Sequence, residues 1–157
     1  LSVAWASSNV GAEDLLESGD YFAWGDTVVK EEYVKANYSN RYNKDIASSK
    51  LGGNWRMPTV EEVYELVDRC KVVWVSKEDV EGVEFRSGNG NSIFLPAAGF
   101  RCKSKVYEAG NNGSYWSSSL DIDYPRSVYI MGFDPSNGPS LCSWHARDFG
   151  LPVRPVC

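Results

Sequence analysis

The hydrophobic positions of this chain change rhythm near residue 70. Before it, Val60, Val63, Tyr64 and Val67 fall three or four apart, the spacing of one helix face. Thr59-Val60-Glu61-Glu62, just after Pro58, is a capping-box pattern. Thr59 can accept from the Glu62 backbone while the Glu62 carboxylate reaches back. The stripe behind it predicts a helix packed on a core. A shorter helix is predicted over about 45–50, ended by Gly52 and Gly53, because glycine tolerates the left-handed cap. After Cys70 the pattern is β. Residues 72–75 form an apolar run. Residues 83–87 and 92–95 flank Gly88-Asn89-Gly90-Asn91, which accept positive φ and predict a hairpin. Residues 127–133 and 140–144 flank the turn-rich Asp134-Pro135-Ser136-Asn137-Gly138. Within the first of these, Tyr129, Met131 and Phe133 alternate with Val128, Ile130 and Gly132, and the first set is assigned to the core. Residues 151–156 predict a last strand, which Pro152 and Pro155 mark as an edge or a bulge. The sum is an α+β fold with two early helices and then antiparallel strands.

Composition narrows the picture. A chain of 157 residues without a repeat or linker fits one domain over 1–157. The net charge of −5 argues against a nucleic-acid partner and against an anionic membrane surface. No run of 18 apolar residues exists, so no membrane insertion of this domain is expected. The opening Leu-Ser-Val-Ala-Trp already reads as a strand. The chain is therefore expected to be a mature or trimmed domain, and the lack of a leader says nothing about compartment. Cys70, Cys102, Cys142 and Cys157 contain no CxxC pair, which disfavours a zinc ribbon or thioredoxin-type site. Four cysteines allow three full pairings, and free buried thiols are equally open.

Five stretches carry a resemblance: Leu-Ser-Val-Ala-Trp-Ala at 1–6, Gly-Asp-Tyr-Phe-Ala-Trp-Gly-Asp at 19–26, Gly-Gly-Asn-Trp-Arg-Met-Pro-Thr at 52–59, Tyr-Trp-Ser-Ser-Ser at 115–119, and Gly-Leu-Pro-Val-Arg-Pro-Val at 150–156. In that order they resemble the Fibrobacter-succinogenes-type major paralogous domain. That is a branch of the C-type-lectin-like fold found in secreted and surface proteins of gut Bacteroidetes. The resemblance covers nearly the whole chain. It implies a C-type-lectin-like fold, two helices with antiparallel sheets, and paired N- and C-terminal strands. It also implies an extracellular or bacterial cell-surface location, and a core strand in which Trp116 is packed. Ser117 to Ser119 would then satisfy backbone groups.

Catalytic and metal chemistry finds little footing. The formylglycine-generating enzymes share this fold and a similar Arg-Leu-Pro-Thr helix start. Their activity resembles a copper site held by a cysteine pair in an Arg-Gly-Gly-Ser-Trp context, which this chain lacks. Cys142 and His145 are three apart, so on a strand they point to opposite faces. No Gly-x-Ser-x-Gly supports a serine nucleophile. The single His has no neighbouring His or Cys pair to hold a metal with. Sugar-binding C-type lectins hold calcium with Glu-Pro-Asn or Gln-Pro-Asp and Trp-Asn-Asp, and neither is present. Asp134-Pro135-Ser136-Asn137-Gly138 reads instead as a turn. No cofactor, metal or catalytic residue is therefore expected.

A binding surface remains. Residues 120–126 and 141–149 carry large or charged side chains where a bland loop would carry Gly, Ser and Asn. The candidate ligand-binding residues are Asp121, Asp123, Tyr124, Arg126, Trp144, His145, Arg147, Asp148 and Phe149. Trp, Tyr and Arg dominate interface hot spots, and aromatic rings also stack on sugars. For Trp144, an exposed and a packed role are both open. The resemblance extends to proteins whose residues between a Tyr-Trp-Ser-Ser start and a Val-Arg-Pro-Val end are varied by diversity-generating retroelements. Residues 115–156 share that layout. The function expected is non-catalytic recognition of a protein or glycan. The alternatives are a formylglycine-generating-type oxidase and a structural adhesin or fimbrial subunit.

Overall fold

Asp45 opens the first helix, α1 (Ile46–Leu51), by accepting the Ser48 N–H at 3.0 Å. The same carboxylate accepts the Met57 N–H at 2.9 Å, tying the cap to the approach of the next helix. Gly52 and Gly53 leave α1 with φ of 68° and 57°, the left-handed region that glycine enters freely. Both halves of the capping box form at Thr59, where α2 (Val60–Arg69) begins. Arg56 grips the Glu62 carboxylate at 2.8 and 2.5 Å. That grip holds Glu62 below the usual carboxylate range, although burial opposes it. The inward face of α2 differs from the predicted stripe. Val63 and Leu66 are buried, whereas Tyr64 is 60% exposed. With Val67 and Cys70 packed beside them, the seam runs at i, i+3, i+4 and i+7 from Val63. Tyr64 lies one residue, about 100°, off that seam.

The structure is a computed structural model that describes residues 1–39 and 41–157. It is α+β and mostly sheet, with two helices, a 3₁₀ turn at Lys35–Asn37, and three small antiparallel sheets. The first sheet orders β1 (Lys71–Lys77), β2 (Val80–Arg86) and β3 (Ser92–Pro96) consecutively. The β2–β3 hairpin is the predicted one. The β1–β2 hairpin was not legible, because its turn uses Glu78 and Asp79 at positive φ in place of glycine. β4 (Phe100–Cys102) and β5 (Lys105–Tyr107) form a two-stranded ribbon, also without a pattern to announce it. The third sheet orders β6 (Gly113–Leu120), β7 (Val128–Phe133) and β8 (Ser140–Trp144).

This third sheet lies between two cores. Val128 and Ile130 pack with Trp116, Phe22, Leu151 and Val153. Met131 and Phe133 pack on the other side with Tyr115, Leu66, Phe85 and Leu95. The assignment of only one face of β7 to the core is thus corrected: both faces are buried, and Tyr129 is only half-buried. A one-sided alternation rule fails for a strand with a core on either side.

The chain ends meet. Ala4 and Cys157 exchange two backbone hydrogen bonds at 2.9 and 3.0 Å, and Ala6 donates to Pro155 O at 3.0 Å. Arg56 and Val156 exchange another pair, each at 2.9 Å. The segment 151–156, expected as a last strand at an edge or a bulge, is buried throughout and pairs through isolated bridges at Leu151 and Val156. Its prolines fit because they act through their carbonyls: Pro152 O accepts from Trp116 N, and Pro155 O from Ala6 N. Between them sits Arg154, 1% exposed. Its guanidinium donates to Asn9 Oδ1 at 2.8 Å, Phe94 O at 2.9 Å and Ala6 O at 3.2 Å. Asn9 in turn donates to the Tyr115 hydroxyl at 3.1 Å, which donates to Pro96 O at 2.7 Å. Burial pushes Arg154 down to about 10, so it is still a cation at neutral pH.

Two outcomes follow. Arg154→Met leaves three acceptors without their donor, at about 1–3 kcal/mol for each one that stays buried. Urea unfolding should show a loss of at least about 3 kcal/mol, and Arg154→Lys should recover only part because one ammonium does not span the fork. The second outcome concerns acid. Glu62 has a lowered folded pKa, so its contribution is complete above its ordinary value of 4.5 and is lost as pH falls through the folded value. The urea midpoint should fall below pH 4.5, and Glu62→Gln should flatten that part of the profile.

Candidate functional site

The Trp-Ser-Ser-Ser segment is structural at every position. Trp116 is 1% exposed and donates its indole N–H to Phe22 O at 2.6 Å. Ser117 Oγ donates to Tyr129 O at 2.6 Å, and Ser118 Oγ to Pro58 O at 3.3 Å. Ser119 Oγ accepts from Val60 N at 3.0 Å, at the start of α2. The β6–β7 register shifts between Trp116 and Leu120, where Ser117 Oγ serves the Tyr129 carbonyl of the partner strand.

Beyond that irregularity the chain turns through residues 121–126. Asp121 is buried and does not present itself to solvent. Its Oδ1 accepts from Asp123 N at 2.9 Å, Tyr124 N at 3.4 Å and the Tyr129 hydroxyl at 3.3 Å. The Ser143 hydroxyl and the Asp123 backbone, in that order, hold its carboxyl below the usual range. Asp121 N and Ser127 N close the loop on Ser127 O and Tyr124 O. Thus braced, the loop exposes Asp123, Tyr124 and Arg126, and also Ile122, which is 87% exposed. Ile122 was missed in the sequence. The available signal was its place between two aspartates, a poor setting for a core residue.

The second stretch divides in the same way. Trp144 is half-buried against Phe100 and Phe149, with ring centroids 5.8 and 5.9 Å away. Its indole N–H donates to Ala146 O at 2.9 Å. Trp144 is thus partly packed, with part of its ring still open to solvent. Phe149 stacks on Phe100 at 5.7 Å, and both lie against the core that holds Trp116. Asp148 is buried, Arg147 half-buried and His145 exposed. The Arg147 guanidinium lies 5.5 Å over the Trp24 ring, and its carbonyl accepts from Trp24 N at 2.9 Å.

Arg126, His145, Arg147 and Asp148 come together in one cleft of about 290 Å³, completed by Lys35 and Tyr38. Asp123 and Tyr124 do not line it, and neither do the buried Asp121 and the half-buried Trp144 and Phe149. Lys35 and Tyr38 were missed because they come from the polar stretch after residue 30, far away in sequence. The Tyr38 hydroxyl donates to Trp24 O at 2.9 Å, so Trp24 anchors both walls. Burial pushes the Tyr38 phenol up, and Arg147 partly offsets this. Among the described residues, neither Lys35, Arg126 nor Arg147 forms an ion pair.

All four cysteines are free thiols. Cys142 Sγ contacts Ser140 Oγ at 3.6 Å. Among the described residues, no cluster of three or more His, Cys, Asp or Glu is placed to hold a metal ion. No protein-family model, curated protein or solved structure matches the chain.

The division between supports and exposed groups is measurable. Trp144→Ala should lower stability by roughly 2 kcal/mol, below the full cost of a buried aromatic because the ring is half-exposed. Ile122→Ala and Tyr124→Ala should stay within about 0.5 kcal/mol, as exposed positions do. Thermal melts of the three variants against the parent give the comparison.

Proposed function

We propose that the chain is a non-catalytic binding module with a C-type-lectin-like fold, borne outside the cell or on a bacterial surface. It recognises a protein or a glycan through the loops of its C-terminal third. One observation carries this reading. The loop after β6 and the stretch after β8 meet Lys35 and Tyr38, from far earlier in the chain, in a single cleft whose cations form no ion pair among the described residues, and both C-terminal loops are braced from behind by packed or hydrogen-bonded residues. A surface held rigid before binding loses less entropy on contact. The meeting of the chain ends, the two helices and the small sheets agree with the resemblance noted in the sequence. So does the use of the Tyr-Trp-Ser-Ser segment as frame, with the intervening loops left to carry specificity. That is also the layout a retroelement-diversified protein would need. Exposed Ile122 and Tyr124, beside Arg126, add an apolar contact next to the charged cleft.

The test is a binding screen against arrays of bacterial and host glycans and of surface proteins. The triple variant Tyr124→Ala, Arg126→Ala, His145→Ala should lose at least tenfold in affinity for any ligand found. Its melting temperature should stay within about 2 °C, since none of the three is a support. Full binding by the triple variant would move the site elsewhere. Turnover of a ligand would overturn the non-catalytic reading.

A further inference from the structure

Resting on that reading, we infer that the cleft takes an acidic sugar, with a carboxylate or sulfate ester seated among Lys35, Arg126 and Arg147. The first reason is unpaired charge. Several cations elsewhere in the molecule are paired: Lys30 with Asp26 at 2.7 Å, Arg56 with Glu62 at 2.5 Å, and Lys77 and Arg86 with Glu84 at 2.5 and 2.6 Å. In the cleft three cations face one carboxylate, Asp148, in a chain whose net charge is −5. A concave site in which one sign of charge predominates focuses its field on an incoming counter-ion.

The second reason is the set of functions beside that charge. Arg147 is stacked on Trp24, so its planar fork is held in place before an oxyanion arrives. Asp148 supplies acceptor oxygens for sugar hydroxyls, which an anion alone does not need. Tyr38, its hydroxyl already committed to Trp24 O, leaves its ring as a wall. Cations for the acid group, a carboxylate for hydroxyls and an aromatic wall together match a charged sugar ring. The third reason is size. A volume of about 290 Å³ is at the low end for small-ligand sites, room for one sugar unit of a chain. An acidic protein partner would instead spread over roughly 800 Å² per side. Carboxylate and sulfate share the oxyanion chemistry, so the experiment separates them.

The chain is titrated calorimetrically with a heparin-derived hexasaccharide, with trigalacturonate and sialyllactose, and with neutral maltohexaose, each at 50 and 200 mM NaCl. At least one acidic sugar should bind, more weakly at the higher salt, and maltohexaose should not. Binding of the hexasaccharide alone identifies sulfate, and binding of the carboxylated sugars alone identifies carboxylate. The double variant Lys35→Ala, Arg126→Ala should lose at least tenfold in affinity at an unchanged melting temperature. The control Lys50→Ala, Lys71→Ala removes exposed charges from α1 and β1, which contribute nothing to the cleft, and should bind as the parent does. The inference fails if no acidic sugar binds, if maltohexaose binds equally, or if the control loses as much as the cleft variant. A neutral glycan or protein that binds through Tyr124 but not through Lys35 and Arg126 would also overturn it, while leaving the binding-module reading intact.

Discussion

The fold depends on a buried cation that has no carboxylate partner among the described residues. Arg154 joins the opening segment through Ala6 and Asn9, and the first sheet through Phe94 O. Through Asn9 it reaches Tyr115 on the third sheet. A guanidinium has five N–H donors in a fixed fork, so these groups are set relative to one another by a single side chain. Carbonyls and an amide oxygen serve as acceptors where a carboxylate would be expected. No apolar residue could take this place without leaving polar groups unpaired in the interior. The buried network therefore specifies how the layers meet, and the two hydrophobic clusters fill the space around it.

From that junction the third sheet becomes an internal partition. Its side chains go alternately into the two cores, which fixes β6, β7 and β8 firmly at their middles. The candidate site is assembled from what emerges at their ends: the loop after β6 and the stretch after β8. Asp121 braces one, and the Phe100–Trp144–Phe149 cluster braces the other. Precision at the surface is thus inherited from packing within, the usual requirement for recognition groups held on loops.

Much of this was legible in the sequence, and the failures have physical causes. The caps at Asp45 and Thr59 were readable because a cap is a local pattern of hydrogen-bonding groups. The Gly88–Asn91 turn was readable because its residues favour positive φ. The turn at Glu78 and Asp79 was hidden because ordinary residues took that conformation under the pull of the sheet. Tyr64 was misplaced by one helical step, and one face of β7 was undercounted because a partition has no wet side. Of the residues that line the candidate cleft, Arg126, His145, Arg147 and Asp148 were named from their chemistry. Lys35 and Tyr38 were not, since only the tertiary fold brings the 3₁₀ turn to the last third of the chain. The supporting roles of Asp121 and Phe149 were also invisible, and for Trp144 packing was only one of two open readings, because composition does not reveal which way a side chain faces.

The pairing of Ala4 with Cys157 has a consequence for the order of events during synthesis. The opening segment is made well before its backbone partners, which lie at the far end of the domain. Until then Trp5 and Val10 have no strand beside them. Contacts of such high sequence separation are slow to form, because the loop between them must close first. The helices and the β1–β2–β3 sheet can form as they appear. The double-cored partition and the segments that enclose it are completed only once residues 151–157 are free to pair. A chain that has not yet presented those residues would therefore hold an open, sticky intermediate. The last few residues act as the latch of the fold.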